Sequence, residues 1–235
     1  MIIKKAFDRL FQIIKKTLVN DYYYSTNSFA QEGEDLILSR YFQNQSAGYY
    51  IDIGAHHPKR FSNTYVFYKR GWHGLNIDAM PGSMKSFNRY RKRDVNCEIG
   101  VSKKEADLTY YIFNEPALNT FSEEHALEWS KKPPYRIKKE VIVKTLPLKK
   151  ILERNIPPNQ KISFFSIDVE GLDIEVIESN DWDLFRPEIV LVEDHTVQDL
   201  ESIFETIIYK KMISFDYKLI SKCYYTLIFK DKRII

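Results

Sequence analysis

Apolar and polar positions change rhythm repeatedly along the chain, and each change marks an element. GYYIDIG (48–54) is a short apolar run closing on Asp52 and Gly54, the pattern of a parallel strand buried on both faces. ISFFSIDVEG (162–171), PEIVLVEDH (187–195), HGLNIDAMPGSM (73–84) and VNCEIGVS (95–102) contain runs of the same kind. Between them, apolar residues at helical spacing predict helices in SFAQEGEDLILSRYF (28–42), FSNTYVFYKRGW (61–72), SMKSFNRYRKR (83–93), LDIEVIESN (172–180) and VQDLESIFETIIYKK (197–211). Strand alternating with helix predicts an α/β sheet built from crossovers.

Two stretches depart from that rhythm. ADLTYYIF (106–113) and IKKEVIVKTL (137–146) are β-rich and flank a polar segment, so residues 103–145 read as an antiparallel pair carrying a loop-rich insertion between strands three and four. LPLKKILERN (146–155) leads back to the sheet as a helix. FDYKLIS (215–221) and YYTLIFKDK (224–232) are separated by Lys222 and Cys223 alone, too short for a crossover, which predicts a terminal antiparallel hairpin. The expected fold is a Rossmann-like seven-stranded sheet over 28–235. Residues 1–27 form an amphipathic segment, with Ile3, Phe7, Leu10, Phe11, Ile14 and Leu18 at helical spacing among basic residues. Such a helix packs on its own domain or on a second copy, the favoured reading, or lies on an anionic membrane surface.

Composition narrows the classes. With 44% hydrophobic residues the chain can build a core, which excludes a disordered protein. Two cysteines make no disulfide framework, no cleavable signal peptide is evident, and no apolar run reaches the ~18 residues of a membrane span. A cytoplasmic protein is expected, with at most peripheral contact at the inner membrane face. A net charge of +3 is too small to argue for nucleic acid. RYRKR (89–93) reads as solvated surface.

In an open parallel sheet, ligands bind beyond the carboxyl ends of the strands, where strand order reverses. The turn DIGAHHPK has one glycine where a dinucleotide fingerprint has three, which disfavours NAD and FAD. Asp78 lies 24 residues after Gly54, close to the offset of about 20 at which an acid reaches ribose hydroxyls. One glycine turn and one ribose acid suit a nucleoside without phosphates, and S-adenosylmethionine has that shape.

SFAQEGEDLIL, YIDIGAHHP, FSNTYVFYKRGWHGLNIDAMP, VNCEIGVS and FSIDVEGLDIEVI together resemble the FkbM family of S-adenosylmethionine-dependent methyltransferases, over roughly residues 28–200. The resemblance implies O-methyl transfer, often onto sugars of surface glycans or natural products, with a sugar or nucleotide-sugar as acceptor. It places Asp52, Gly54, Ala55 and His56 at the methionine end of the cofactor, and Asp78 with Ala79 at the ribose. Gly100, Val101 and Ser102 then pass the adenine, and Gln31 folds over the site. Ser62 and Asn63 either cap a helix or hold the methionine carboxylate. Asp168, Glu170, Glu193, Asp194 and His195 form the strongest acidic group. His195 is the preferred general base and Glu170 its competitor. Asp168 joins them as a candidate for both catalysis and cofactor contact. In some sugar O-methyltransferases of this general fold an acid after strand four and consecutive acids after strand five bind magnesium. Asp168, Glu193 and Asp194 resemble that set, with Mg²⁺ or another hard divalent cation as the ion. The rival readings are a nucleic-acid methyltransferase and a non-catalytic protein that binds the cofactor or a glycan. Oligomeric state is left open.

Overall fold

The computed structural model describes residues 25–197 and 199–234, together with Phe7, Arg9–Phe11 and Ile13–Ile14. In chain order the first elements are α1 (Glu34–Tyr41), β1 (Tyr49–Ile53), α2 (Tyr65–Lys69), β2 (His73–Asp78), α3 (Met84–Tyr90), β3 (Val95–Glu98), β4 (Gly100–Val101) and β5 (Ala106–Phe113). They are followed by α4 (Glu123–Ser130), β6 (Ile137–Leu146), α5 (Leu148–Asn155), β7 (Phe164–Ile167), α6 (Asp173–Ser179), β8 (Ile189–Glu193), α7 (Ile207–Ser214), β9 (Tyr217–Lys222) and β10 (Thr226–Asp231). Seven strands make the main sheet in the order β3-β2-β1-β7-β8-β10-β9, with β10 antiparallel to both neighbours. The predicted sheet and terminal hairpin are both present. Strand order reverses between β1 and β7, so the crevice for a ligand opens beyond Ile53 and Ile167.

The strands that read as continuous apolar runs are buried on both faces: all five residues of β1 and of β8 are buried. One face carries Ile51, Ile53, Phe165, Ile167, Val190 and Val192, packed under α5, α6 and α7. The other carries Tyr50, Phe164, Ile189 and Leu191, packed under Leu38 and Phe42, with Phe67 and Trp72 beside them. β4, β5 and β6 make a separate three-stranded sheet, with β5 antiparallel to β6 as the alternation predicts.

Three elements differ from expectation. The strand foreseen over 95–102 breaks at Ile99, whose N–H donates to the Asp78 carbonyl (3.0 Å), and Gly100–Val101 leave the main sheet to pair with Thr145–Leu146. The helix foreseen over 61–72 begins only at Tyr65, because the Ser62 hydroxyl accepts the Tyr65 N–H (3.1 Å) and holds the preceding residues in a turn. The helix foreseen over 197–211 is a short 3₁₀ turn, Ser202–Glu205, followed by α7. Thr206 separates them in an extended conformation and caps α7 by accepting the Tyr209 N–H. Most of the 1–27 segment lies outside the described residues. Within it Phe7, Leu10, Phe11 and Ile14 are helical and exposed. Among the described residues no helix is long and apolar enough to cross a membrane.

Arg91, expected on a solvated surface, has no accessible area. Its Nε donates to Asp94 Oδ2 (2.9 Å), its Nη2 to Tyr50 Oη (2.8 Å) and Thr64 Oγ1 (2.9 Å), and its Nη1 to the Pro58 carbonyl (3.0 Å). Asp94 also accepts from Tyr50 Oη, Gly74 N and Asn76 Nδ2. Arg91 and Asp94 are paired with each other and with these partners, so the buried charge is tolerated, and the network ties the start of β1 and β2 to the loop ahead of α2. Replacing Arg91 by Leu strands Asp94 without its counter-charge. Urea denaturation of that variant should show a loss of about 3–5 kcal/mol.

Candidate active site

A cavity of about 300 Å³ opens at the carboxyl ends of β1, β2 and β7. Its first wall is the turn after β1. Gly54 has φ +84°, and a Cβ there would lie 1.7 Å from the Asp168 carbonyl oxygen. Only glycine lets the turns after β1 and β7 approach this closely. His56 follows at φ 50°, with its N–H donating to Asp78 Oδ2 (2.8 Å). Asp78 Oδ1 accepts the Met80 N–H (2.8 Å). The acid at the end of β2 thus ties two turns together at the cavity wall, with lone pairs to spare on each oxygen. Burial raises its pKa above the usual carboxylate value.

Gln31, Gly54, His56, Asp78, Ala79, Gly100, Val101 and Asp168, all foreseen at the cofactor, line this cavity. Asp52, Ala55, Ser62 and Ser102 do not. Asp52 faces the opposite side of β1, accepts the Thr64 hydroxyl (2.6 Å) below Arg91, and has a pKa pushed up to about 6 by burial. Ala55 N–H is spent on the Ile77 carbonyl, and the Ser102 hydroxyl bridges Lys104 O and Thr145 Oγ1. Asn63 lines a narrow adjoining crevice instead, with its Nδ2 donating to Ser166 Oγ (3.0 Å). His57 turns its Nδ1 onto the N–H groups of Lys59 and Arg60 and so shapes the turn.

The insertion supplies a wall that sequence reasoning largely missed. Tyr110 and Phe121, with ring centroids 4.6 Å apart, cover the cavity, and the Phe121 ring lies where a Gly100 side chain would stand. Asn119, from the same insertion, lines the cavity while its Oδ1 accepts the Phe113 N–H. Tyr110 in β5 and Phe121 within the polar segment were the available signal. The opening segment acts as a latch: Asp35 accepts Ser28 Oγ and Phe29 N–H, Glu34 accepts Thr226 Oγ1, and Glu32 accepts Tyr225 N–H.

The acids gather where the cavity meets the end of β8. Glu170, at φ 52°, is held by the Thr120 hydroxyl, which donates to its carbonyl (2.7 Å). Asp173 folds the same turn by accepting the N–H groups of Val169 and Gly171. One ligand atom each from Glu170, Glu193 and His195 lies within 4.8 Å of the others, and His195 Nε2 is 3.0 Å from Glu193 Oε2. Asp194, expected beside Asp168 and Glu193 in a metal set, turns its Oδ1 onto the N–H and hydroxyl of Thr196 instead. Burial, followed by repulsion from Glu170 and Asp173, pushes Glu193 up to about 8. Asp168 and Glu170 are raised well above ordinary carboxylates by burial and then by neighbouring acids, and burial raises Asp173 to about 6.

A nucleoside-sized cavity under an acid-rich mouth, at the switch point of this sheet order, is the arrangement expected of a methyltransferase. The family profile described as the methyltransferase FkbM domain matches residues 52–219, more than half of the chain. The chain belongs to the FkbM methyltransferase family. This FkbM protein is accordingly an S-adenosylmethionine-dependent methyltransferase. Among solved structures it is similar to the precorrin-6y C5,15-methyltransferase of Geobacter metallireducens GS-15, at 9% identity and a TM-score of 0.42, covering 88% of this chain and 92% of that one. That likeness is too loose to bear on function. No curated protein matches the sequence.

Gly54→Ala should abolish binding of S-adenosylhomocysteine in calorimetry, because the turns after β1 and β7 must separate. The raised acids also set a pH dependence. Folding lifts Asp173 from 3.8 to about 6 and Glu193 from 4.5 to about 8, so the folded state holds protons that the unfolded chain releases. Their contribution to stability is complete below the unfolded values and is lost as pH rises through the folded ones. The melting temperature should therefore fall across that window, and Glu193→Gln should flatten its upper part.

Proposed function

We propose that this FkbM methyltransferase transfers the sulfonium methyl of S-adenosylmethionine to a hydroxyl of a sugar, nucleotide-linked or part of a surface glycan. The observation that carries this reading is the convergence of Glu170, Glu193 and His195 at the mouth of the nucleoside-sized cavity. The C–S bond breaks as the O–C bond forms in line. The thioether leaves without a proton, so acid catalysis is not needed, while the hydroxyl must lose one. His195 is the base in this reading, with Glu193 behind its imidazole to stabilise the imidazolium as it forms. Asp78 holds the ribose end and Gly54 admits the methionine end.

One observation favours a second role for the same three residues. Among the described residues no Lys or Arg pairs with Asp168, Glu170, Asp173 or Glu193, so only protons, or a cation brought in from outside, can neutralise them. Two carboxylates and an imidazole are a donor set that suits a divalent cation of the Mg²⁺ or Mn²⁺ type. Such an ion, when bound, lowers the pKa of a coordinated hydroxyl.

Asp78→Ala should weaken S-adenosylhomocysteine binding by about tenfold or more, equivalent to at least ~1.4 kcal/mol. His195→Ala should leave that affinity unchanged and lower turnover on sugar acceptors by about 10²–10⁴. Turnover lost on chelation and restored by Mg²⁺ assigns the three residues to an ion. Turnover indifferent to chelator assigns His195 as the free base. Normal cofactor affinity in the Asp78 variant sinks the reading of the cavity.

A further inference from the structure

Beyond the turn that carries Glu170 lies a second cavity, of about 150 Å³, between α4 of the insertion, the end of β8 and the start of α7. Three polar atoms of its lining residues are buried without a hydrogen-bond partner: His125 Nδ1, Glu193 Oε2 and Asp194 Oδ2. Ten side-chain atoms are in that state among the described residues, so three in one small cavity is a concentration rather than scatter. Asp194 is 3% exposed and Glu193 is 8% exposed, and neither compensates by reaching solvent. Glu193 Oε2 has His195 Nε2 at 3.0 Å but accepts no aligned hydrogen bond. A buried acceptor left unpaired carries its full desolvation penalty, and such groups are kept where a ligand completes them.

The chemistry of the lining defines that ligand. The Asp194 carboxylate only accepts, so the ligand must bring it a hydrogen donor, while the Glu193 carboxyl, raised to about 8, donates when protonated and accepts when not, and a hydroxyl meets either form. Ile174, Ile207 and Ile208 line the same cavity and offer apolar surface. No Lys or Arg lines it, while Asp173, Glu193 and Asp194 do, so an anionic group there meets like charge. A ring with hydroxyls along its edge and C–H groups on its face satisfies every part of this surface. A diphosphate, a phosphate or a uronate carboxylate does not.

Resting on the function proposed above, we infer that this cavity is the acceptor subsite, that it seats one uncharged sugar ring, and that any anionic part of the acceptor points away from it. His195 and Glu193 belong both to this cavity and to the acidic group at the cofactor mouth, so a ring seated here carries a hydroxyl to the base. His125 and Asp194 are then specificity residues, and the first of them comes from the insertion.

The test measures ring binding directly, by saturation-transfer NMR on the full chain with and without S-adenosylhomocysteine. The probes are methyl gluco-, manno-, galacto- and rhamnopyranoside, with the methyl uronides matched to the first three. At least one neutral glycoside should bind about tenfold or more tightly than any uronide, and Asp194→Asn should shrink that ratio several-fold without altering S-adenosylhomocysteine affinity. Uronides binding as well as neutral glycosides, or no glycoside binding to protein that binds S-adenosylhomocysteine, overturns the inference. So does an Asp194→Asn variant that keeps the full discrimination. Failure of the broader reading appears elsewhere, as absent S-adenosylhomocysteine binding or as methyl transfer confined to acceptors that are not sugars.

Discussion

The turns after β1 and β7 stand so close that no side chain fits between them. A Cβ on Gly54 would lie 1.7 Å from the Asp168 carbonyl, and Gly54 sits in the left-handed region that favours glycine. That approach places the Gly54 turn and the acids of the DVEG turn (168–171) within one small volume. Asp78 fixes one side by accepting two backbone N–H groups, and Asp173 fixes the other in the same way. Strain at His56 and Glu170, both at positive φ, is held in place by these bonds and by Thr120.

The second organising fact is electrostatic. Asp168, Glu170, Asp173 and Glu193 are buried together, and their pKa values rise because desolvation and mutual repulsion disfavour four negative charges. Arg91 shows the contrast at the other end of the sheet. There a single guanidinium and Asp94 are buried as an ion pair with four hydrogen bonds from the guanidinium, which makes a structural joint. The acids at the mouth lack such a partner and have their pKa values shifted upward instead, and perturbed titratable groups of this kind cluster at functional sites.

Much of this arrangement was legible in the chain because it is local. The apolar runs ending in Gly54, Asp78 and Asp168 gave the strands and put their polar ends on one edge. The hairpin at 217–231 followed from a connection too short to cross over. What escaped the reading depends on contacts far apart in sequence. Asp52 looks like a cofactor ligand beside Gly54, but strand alternation turns it away from the face of Ile53, which lines the cavity, and onto Thr64. Arg91 sits in a basic pentad that gives no hint of burial, and its partner Tyr50 lies 41 residues away. Gly100 and Val101 sit in the smaller sheet because Thr145–Leu146 pair with them, an event no local pattern announces. His125 carries no motif, and its place against Gly171 is visible only once the insertion is folded back.

The stitching of that insertion to the DVEG turn has a consequence for how relatives of this protein can diverge. Thr120 holds the Glu170 carbonyl, Phe121 packs where Gly100 has no side chain, and His125 lies where Gly171 has none. The excursion between β3 and β7 is therefore not an exchangeable cap laid over a finished catalytic centre. Grafting in a different one would disturb the acids along with the acceptor pocket, so new acceptor ranges in this lineage are more accessible through single replacements at positions such as 125, 194 and 207 than through wholesale loop exchange.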